Sequence, residues 1–232
     1  MSEAESTAFL YPFIDAEERD SDALLSDLAS SARDKAHESA ALQLSTLAEC
    51  AEQVLAAGAE MAQRFAAGAR MYSFGNGGSS TDAATFAALF SQPVSGRALP
   101  ALNLAADQAV VTALGNDVGF DLVFSRQIIA HARGRDIAVA FSTSGNSADL
   151  ITALREAHNR GLMTVGFAGY SGGEMAESAA VDYCFVVRSQ SIHRIQESQA
   201  LLGYQLWATA QRCLATQASD RPLAPGAVGG TA

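Results

Sequence analysis

Four hydroxyl side chains occur close together in the segment Ser-Thr-Ser-Gly-Asn-Ser, residues 142–147. The preceding run Asp-Ile-Ala-Val-Ala-Phe is typical of a buried parallel strand, and a helical pattern follows Ser147. Backbone N–H groups and the helix dipole favour an anion at such a helix start. The segment has no Lys or Arg, so hydroxyls and amides would hold a phosphate. The alternative is an ordinary turn with Ser147 as N-cap.

A second loop of similar composition favours the anion-site interpretation. Residues 75–82 read Gly-Asn-Gly-Gly-Ser-Ser-Thr-Asp, between a predicted strand and an Ala-rich helix. The glycines let the backbone turn sharply and approach a ligand, and the hydroxyls can cap the helix or contact phosphate. Ser80 replaces the third glycine of the dinucleotide fingerprint, and no Gly-Lys-Ser/Thr follows as in a P-loop. Two loops of this kind are harder to explain as plain turns than one.

A scaffold must position both loops, and the sequence pattern indicates one in which strands alternate with helices. This pattern indicates an α/β fold, a doubly wound parallel sheet that binds ligands at the carboxyl ends of its strands. Both loops fall at that edge. The predicted strands are residues 70–74, 101–104, 136–141, 163–168 and 182–187, and the predicted helices are 82–90, 107–113, 120–132, 148–160, 174–180 and 193–214, with turns at 115–117 and 169–173.

An N-terminal helical extension precedes this sheet. Residues 15–65 have helical periodicity and more apolar surface than they can bury alone. We therefore expect them to pack on the sheet, on a partner subunit or on both, which favours a homo-oligomer over a monomer with a helical cap. The predicted organisation is an N-terminal arm and helix at 1–40, an α/β domain at 41–215 and a disordered Pro- and Gly-rich tail at 216–232.

Composition narrows the classes of function. A net charge of −10 argues against a nucleic-acid surface, because no basic patch is there to displace counterions. No apolar run approaches transmembrane length, and the first residues do not form a signal peptide. Cys50, Cys184 and Cys213 are widely spaced and suit free thiols in a reducing compartment. We expect a cytoplasmic protein that contacts neither nucleic acid nor membrane.

Five motifs in order resemble the SIS (sugar isomerase) domain family. Within it they are most similar to the phosphoheptose (sedoheptulose-7-phosphate) isomerases and to their non-enzymatic relative, the initiator-associating SIS protein. The similarity extends from about residue 50 to residue 213. The motifs are Phe-Gly-Asn-Gly-Gly-Ser at 74–79, Leu-Gly-Asn-Asp at 114–117, Phe-Ser-Arg-Gln at 124–127, Ser-Thr-Ser-Gly-Asn-Ser at 142–147 and Arg-Ile-Gln-Glu at 194–197.

The resemblance implies a flavodoxin-like sheet, a homotetramer and a phosphosugar site at a subunit interface. It implies a sugar phosphate as the ligand, with a protein partner as a further expectation. By position, the phosphate would be held by Ser142, Thr143, Ser144 and Ser147. The residues facing the sugar would be Asn76, Gly77, Ser79, Asp107 and Gln196.

Isomerisation between an aldose and a ketose phosphate needs a base and an acid, which the family supplies as a Glu and a His. Here Leu89 and Tyr204 occupy those positions. Leucine cannot accept a proton, and a tyrosine hydroxyl, with an ordinary pKa of about 10, substitutes poorly for imidazole. Zinc-binding members use four positions that are Thr85, Leu89, Gln196 and Tyr204 here. Only the glutamine could ligate zinc, weakly, so we expect no metal and no cofactor.

Two functions stay open. The first is a phosphosugar-binding sensor or assembly factor without the isomerase pair. The second is an isomerase acting on sedoheptulose 7-phosphate or a similar sugar phosphate with displaced catalytic residues, for which His193 is a candidate; otherwise His193 is a helix-start residue near solvent. Asp82 is expected to complement the dipole of its helix. A structural tetramer with an empty site would leave the serine-rich segment unexplained.

Overall fold

The computed structural model describes residues 21–219; residues 1–20 of the predicted N-terminal arm and helix and residues 220–232 of the predicted tail lie outside the described residues. Helices and strands alternate as the sequence predicts, with a 3-10 turn at Phe120–Leu122. In chain order they are α1 (Ser21–Ala66), β1 (Met71–Gly75), α2 (Gly78–Ser91), β2 (Ala101–Asn103), α3 (Gln108–Asp117), α4 (Val123–His131), β3 (Ile137–Phe141), α5 (Ala148–Asn159), β4 (Met163–Gly169), α6 (Gly173–Glu177), β5 (Tyr183–Val187) and α7 (Ile192–Ser219).

The strands of the described residues form one parallel sheet in the order β2-β1-β3-β4-β5. This is the order of flavodoxin-like, doubly wound folds, so the predicted fold class is confirmed. The order reverses between β1 and β3, which are hydrogen-bonded neighbours. Loops that leave these two strands therefore emerge side by side at the carboxyl edge, where such folds bind ligands.

Side chains of the sheet alternate between two cores. On β3, Ile137, Val139 and Phe141 face a core shared with α2, α7 and the second half of α1. Ala138 and Ala140 face the opposite core, built with α4, α5 and α6. Because both faces are covered, β3 is buried along its whole length, which explains its continuous apolar sequence.

Aromatic rings fix the last residue of β3. Phe141, Phe167 and Phe185 are register partners on β3, β4 and β5, with ring centroids 4.4 and 5.1 Å apart. Phe86 on α2 meets Phe141 edge-on at 5.4 Å. Each such pair contributes about 0.5–1.5 kcal/mol beyond the area it buries. The hydroxyl-rich segment 142–147 thus begins directly after a strand end that is held by aromatic packing.

Several boundaries differ from the predictions. The N-terminal helical pattern forms one continuous helix, α1, because no Gly or Pro interrupts it between residues 21 and 57. The turn predicted at residues 115–117 is wrong: α3 continues to Asp117, and Gly119, with φ of +105°, follows its end. At the C-terminus, α7 continues to Ser219, so residues 216–219 are helical.

Two other expectations concern membrane contact and thiols. Within residues 21–219, no helix combines the length and apolarity needed to cross a bilayer. Cys50, Cys184 and Cys213 are free thiols, of which Cys50 is buried and the other two are half-buried.

Candidate functional site

The serine loop, residues 142–147, connects β3 to α5. The hydroxyl oxygen of Ser142 accepts the backbone N–H of Gly145 at 2.9 Å, and that of Ser144 accepts the N–H of Asn146 at 3.2 Å. A hydroxyl that accepts from the backbone keeps its own proton to donate. Ser147 is the N-cap of α5, the position that the alternative interpretation gave it, but its side chain makes no capping hydrogen bond. The loop is therefore shaped by its hydroxyl oxygens, and the Ser142 and Ser144 hydroxyl oxygens also lie 3.5 Å apart, where either can donate to the other.

The serine loop rests on the loop between β4 and α6. Gly145 has φ of +69°, and a Cβ there would collide with the carbonyl of Gly172. Its own carbonyl accepts the N–H of Met175 at 2.9 Å, and the Asn146 side-chain oxygen accepts the N–H of Glu174 at 2.8 Å. No pattern in the sequence predicted these contacts. They give the serine loop a second support besides the end of β3.

The glycine loop, residues 75–79, lies beside the serine loop and is tied to it. Asn76 donates its side-chain amide to both carboxylate oxygens of Asp149, at 3.0 and 2.8 Å. Asp149 lies in the first turn of α5 and is 3% exposed. Burial raises the pKa of its carboxyl, against the effect of the Asn76 hydrogen bond. Asp149 was not among the site residues predicted from the sequence, although an acidic residue at the second position of the predicted helix was a visible signal.

Close packing explains Gly75 of this loop, and a positive φ explains Gly77. A Cβ at Gly75 would come within 2.8 Å of the Phe141 carbonyl oxygen, which is the end of β3. Gly77 has φ of +52° and is the N-cap of α2, with no side chain to cap it. Ser79 is buried in the first turn of α2. Gly77 is exposed and Ser79 is buried, so of these two predicted sugar-facing positions Gly77 is the more accessible.

Gln196 lies against the glycine loop, and its contact with a sugar stays a prediction. A Cβ at Gly78 would come within 2.9 Å of its side-chain nitrogen, which donates to the Asp82 carboxylate at 2.7 Å. The predicted capping role of Asp82 is wrong: because α2 begins at Gly78, Asp82 is in its second turn and bonds to α7 instead. Burial raises the pKa of the Asp82 carboxyl, and the hydrogen bond from Gln196 opposes that shift.

Asp107 and His193 lie apart from this bonded group. The Asp107 carboxylate caps α3, accepting the N–H groups of Ala109 and Val110 at 3.0 and 3.2 Å. It is exposed at the carboxyl edge, so its contact with a sugar stays a prediction. His193 is exposed in the first turn of α7. The structure gives neither side chain a hydrogen bond to the serine or glycine loop.

A cavity of about 90 Å³ opens between α2 and α7. Its walls include the apolar side chains of Phe86, Leu89 and Phe141, together with Thr85, Asp82 and Tyr204. Tyr204 is 49% exposed and packs its ring 5.3 Å from that of Trp207. No histidine lines this cavity, and its carboxylate is that of Asp82.

Gln199 connects this cavity to the serine loop. It is fully buried, lines the cavity and donates its side-chain nitrogen to the carbonyl oxygen of Ser142 at 2.9 Å. A carbonyl only accepts, so the amide orientation is fixed and its oxygen is left without a partner among the described residues. Within residues 21–219 no three His, Cys, Asp or Glu side chains cluster as metal ligands.

The chain is similar in sequence and in overall fold to proteins of a known family. The profile of the family described as "SIS domain" matches residues 36–169. The phosphoheptose isomerase of Aquifex aeolicus is 39% identical over 171 residues, covering 73% of this chain and 88% of that protein. That of Solidesulfovibrio magneticus is 42% identical, covering 73% and 82%. The solved phosphoheptose isomerase of Neisseria gonorrhoeae superposes with a TM-score of 0.73 at 32% identity, covering 82% and 99%.

Proposed function

Because the chain belongs to the SIS domain family, we propose that it binds a sugar phosphate at the carboxyl edge of its sheet. We further propose that it lacks the usual Glu/His isomerase pair and acts as a sensor or an assembly factor. The proposed phosphate ligands are Ser142, Thr143, Ser144 and Ser147, and the proposed sugar contacts are Asn76, Gly77, Ser79, Asp107 and Gln196.

One observation carries this proposal: hydrogen bonds join the serine and glycine loops, while the adjoining cavity is lined mostly by apolar side chains. The serine loop holds its hydroxyls by backbone bonds and by the packing of Gly145. The glycine loop is joined to it through Asn76 and Asp149. Leu89 and Tyr204, at the positions that the family resemblance gives to the base and the acid, line the neighbouring cavity. The residues that we propose to bind the ligand are therefore distinct from those at the positions of the base and the acid.

The second candidate is an isomerase with displaced catalytic residues, and Asp82 favours it. This carboxylate lines the cavity, and burial raises its pKa, which suits a general base near neutral pH. Its hydrogen bond to Gln196 opposes that shift and favours the charged form. The acid would have to be His193, which is exposed at the start of α7, or a group from another subunit.

Binding is tested by thermal unfolding of the full chain with a panel of sugar phosphates, including sedoheptulose 7-phosphate. A ligand of the native state at 100 times its Kd stabilises it by about 2.7 kcal/mol. We expect at least one sugar phosphate to raise the melting temperature, and the matched unphosphorylated sugar not to. If no sugar phosphate shifts the melting curve at saturation, the binding proposal is wrong.

A turnover assay distinguishes the sensor or assembly factor from the isomerase with displaced catalytic residues. Incubation with sedoheptulose 7-phosphate, followed by NMR for the aldose product, should show no conversion by the wild-type chain. The double variant Leu89→Glu/Tyr204→His should gain measurable conversion, whereas Leu89→Gln/Tyr204→His, without the carboxylate, should not. Wild-type conversion that is lost in Asp82→Asn or His193→Ala would contradict the sensor proposal and establish the displaced isomerase.

We also propose a cytoplasmic homo-oligomer, a dimer or tetramer, that meets a protein partner. Leu44 and Leu55, on α1, are 70% and 57% exposed. They are eleven residues apart, which is about three helical turns, so they share one face that a subunit could cover. Light scattering should give a mass above that of one chain; a clean monomer would contradict this part of the proposal. The domain limits at residues 40 and 215 stay predictions.

A further inference from the structure

A second cavity lies at the opposite edge of the sheet, where β1 and β3 begin. Its volume is about 190 Å³, and its polar lining consists of Arg70, His131, Arg133, Arg135 and Asp136. We propose that this arginine cavity binds the phosphoryl group of a small anion, inorganic phosphate or a phosphomonoester, as a site separate from the serine loop. Strands rise about 3.3 Å per residue, so the six residues from Arg70 to Asn76 separate the two sites by about 20 Å.

Among residues 21–219 no ion pair joins the guanidinium groups of this cavity to a carboxylate, although that of Arg135 donates to the carbonyl oxygen of Ala67 at 2.8 Å. Asp136 is its one lining carboxylate, and it is 2% exposed. Its two oxygens accept the backbone N–H groups of Arg70 and Arg133, both at 2.8 Å, rather than their guanidinium groups. The ion pairs found in residues 21–219 involve other cationic residues, namely Arg64, Arg155, Arg160 and His158. Three arginines therefore face one cavity in a chain whose net charge is −10.

The backbone that carries these side chains is held in place before any ligand arrives. Besides the two bonds to Asp136, the carbonyl of Arg70 accepts the N–H of Ile137 at 2.9 Å, which joins the starts of β1 and β3. The hydroxyl of Tyr72 donates to the carbonyl of His131 at 3.0 Å. The backbone positions from which the three arginine side chains extend are therefore fixed, while the side chains themselves are exposed.

Arginine side chains and cavity size select the ligand. A guanidinium presents its N–H groups as a planar fork that matches two oxygens of a phosphoryl group. Pockets for drug-sized ligands are about 300–1,000 Å³, so a cavity of about 190 Å³ suits a phosphoryl group with few other atoms. The competing interpretation is that the arginines only complement the negative ends of α1 and α4, which terminate at Ala66 and His131 beside the cavity.

The test measures binding of inorganic phosphate and of glycerol 1-phosphate to the full chain by calorimetry at low ionic strength. The double variant Arg70→Gln/Arg133→Gln keeps both backbone bonds to Asp136 and should lose affinity at this site at least tenfold. Arg126→Gln, exposed on α4, removes the same type of charge elsewhere and should bind within twofold of wild type. Ser144→Ala/Ser147→Ala should leave the arginine site intact, so a failure there is distinct from a failure of the proposed function.

The outcomes decide between the interpretations. Equal phosphate affinity in wild type and the double arginine variant overturns the proposal, as does equal weakening by Arg126→Gln, which would indicate nonspecific counterion binding. Should the double variant melt at a lower temperature than wild type, the single variant Arg133→Gln answers the same question with an expected loss of at least threefold. If phosphate affinity is retained both in a folded single variant and in the double variant, the role of these arginines is to complement the negative ends of α1 and α4.

Discussion

The two edges of the sheet present an anion with opposite surroundings. At the carboxyl edge, α2 and α5 begin, and their N-termini provide backbone N–H groups and a positive dipole end beside the serine loop. At the amino edge, α1 and α4 end, and their carbonyls repel an anion. Neutral hydroxyls therefore suffice at the first edge, whereas the second requires formal charges, which Arg70, Arg133 and Arg135 supply.

Anion affinity at the two edges should depend differently on salt concentration. Attraction between formal charges at an exposed site is screened strongly, since the Debye length is about 8 Å at physiological ionic strength. Hydrogen bonds from hydroxyls and amides that already point at the ligand depend less on screening. A phosphosugar held by the serine loop should thus keep more of its affinity in salt than an anion in the arginine cavity.

The largest effect is expected from Gly145→Ala in the serine loop, and Gly68→Ala at the opposite edge of the sheet is its matched control. Gly145→Ala places a side chain at positive φ and against the carbonyl of Gly172, so we expect the free energy of unfolding to fall by about 2–4 kcal/mol. Gly68 beside the arginine cavity has φ of +84°, but a Cβ at this position would meet no atom within 4 Å, so Gly68→Ala should lose only about 1–2 kcal/mol. Urea unfolding of both variants measures the difference; equal losses would show that the serine loop is not tightly supported.

A smaller effect is expected from one hydroxyl of the serine loop. Ser144→Ala should weaken sugar phosphate binding by about 0.5–1.5 kcal/mol if its hydroxyl donates to the phosphate. The control Ser45→Ala removes an exposed hydroxyl from α1 and should leave the affinity unchanged. Calorimetry at two salt concentrations gives both the affinity and its salt dependence. Unchanged affinity in Ser144→Ala would contradict the assigned role of this residue.

The smallest effect concerns Asp149, the buried carboxylate that joins the serine and glycine loops. Burial raises the pKa of Asp149 in the folded chain, so the folded state binds this proton more tightly than the unfolded state does. The resulting stabilisation is complete below the ordinary Asp pKa of about 4 and is lost as pH rises through the raised folded value. Asp149→Asn should remove this part of the pH dependence in urea unfolding, whereas Asp117→Asn, exposed on α3, should not. Parallel pH profiles for wild type and Asp149→Asn would contradict the assignment.

The fold was predictable because its signals are local. A buried strand flanked by helices is continuous apolar sequence, so residues 136–141 indicated β3, and alternation along the chain indicated a parallel sheet. The serine loop was visible for the same reason: its hydroxyls follow one another and precede a helical pattern. Boundaries were less accurate where two signals competed, as at Gly115, where the helix continued and Gly119 took the positive φ instead.

Contacts between distant segments could not be read in this way. Asn76 and Asp149 are 73 residues apart, and Gln199 and Ser142 are 57 apart, yet each pair shares a hydrogen bond. Asp82 looked like a helix-start carboxylate because its partner Gln196 is 114 residues away. Nothing in the local sequence of these residues specifies the partner.

By itself, then, the sequence determined the alternation of strands and helices, the two loops rich in Gly and Ser, and the absence of Lys and Arg from the serine loop. These follow from hydrophobic periodicity and from the conformational preferences of neighbouring residues. Only the tertiary structure decided which polar groups meet: Asn76 with Asp149, Gln196 with Asp82, and three arginines around one cavity. The physical reason is that strand order, which the local pattern does not encode, brings remote loops to the same edge of the sheet.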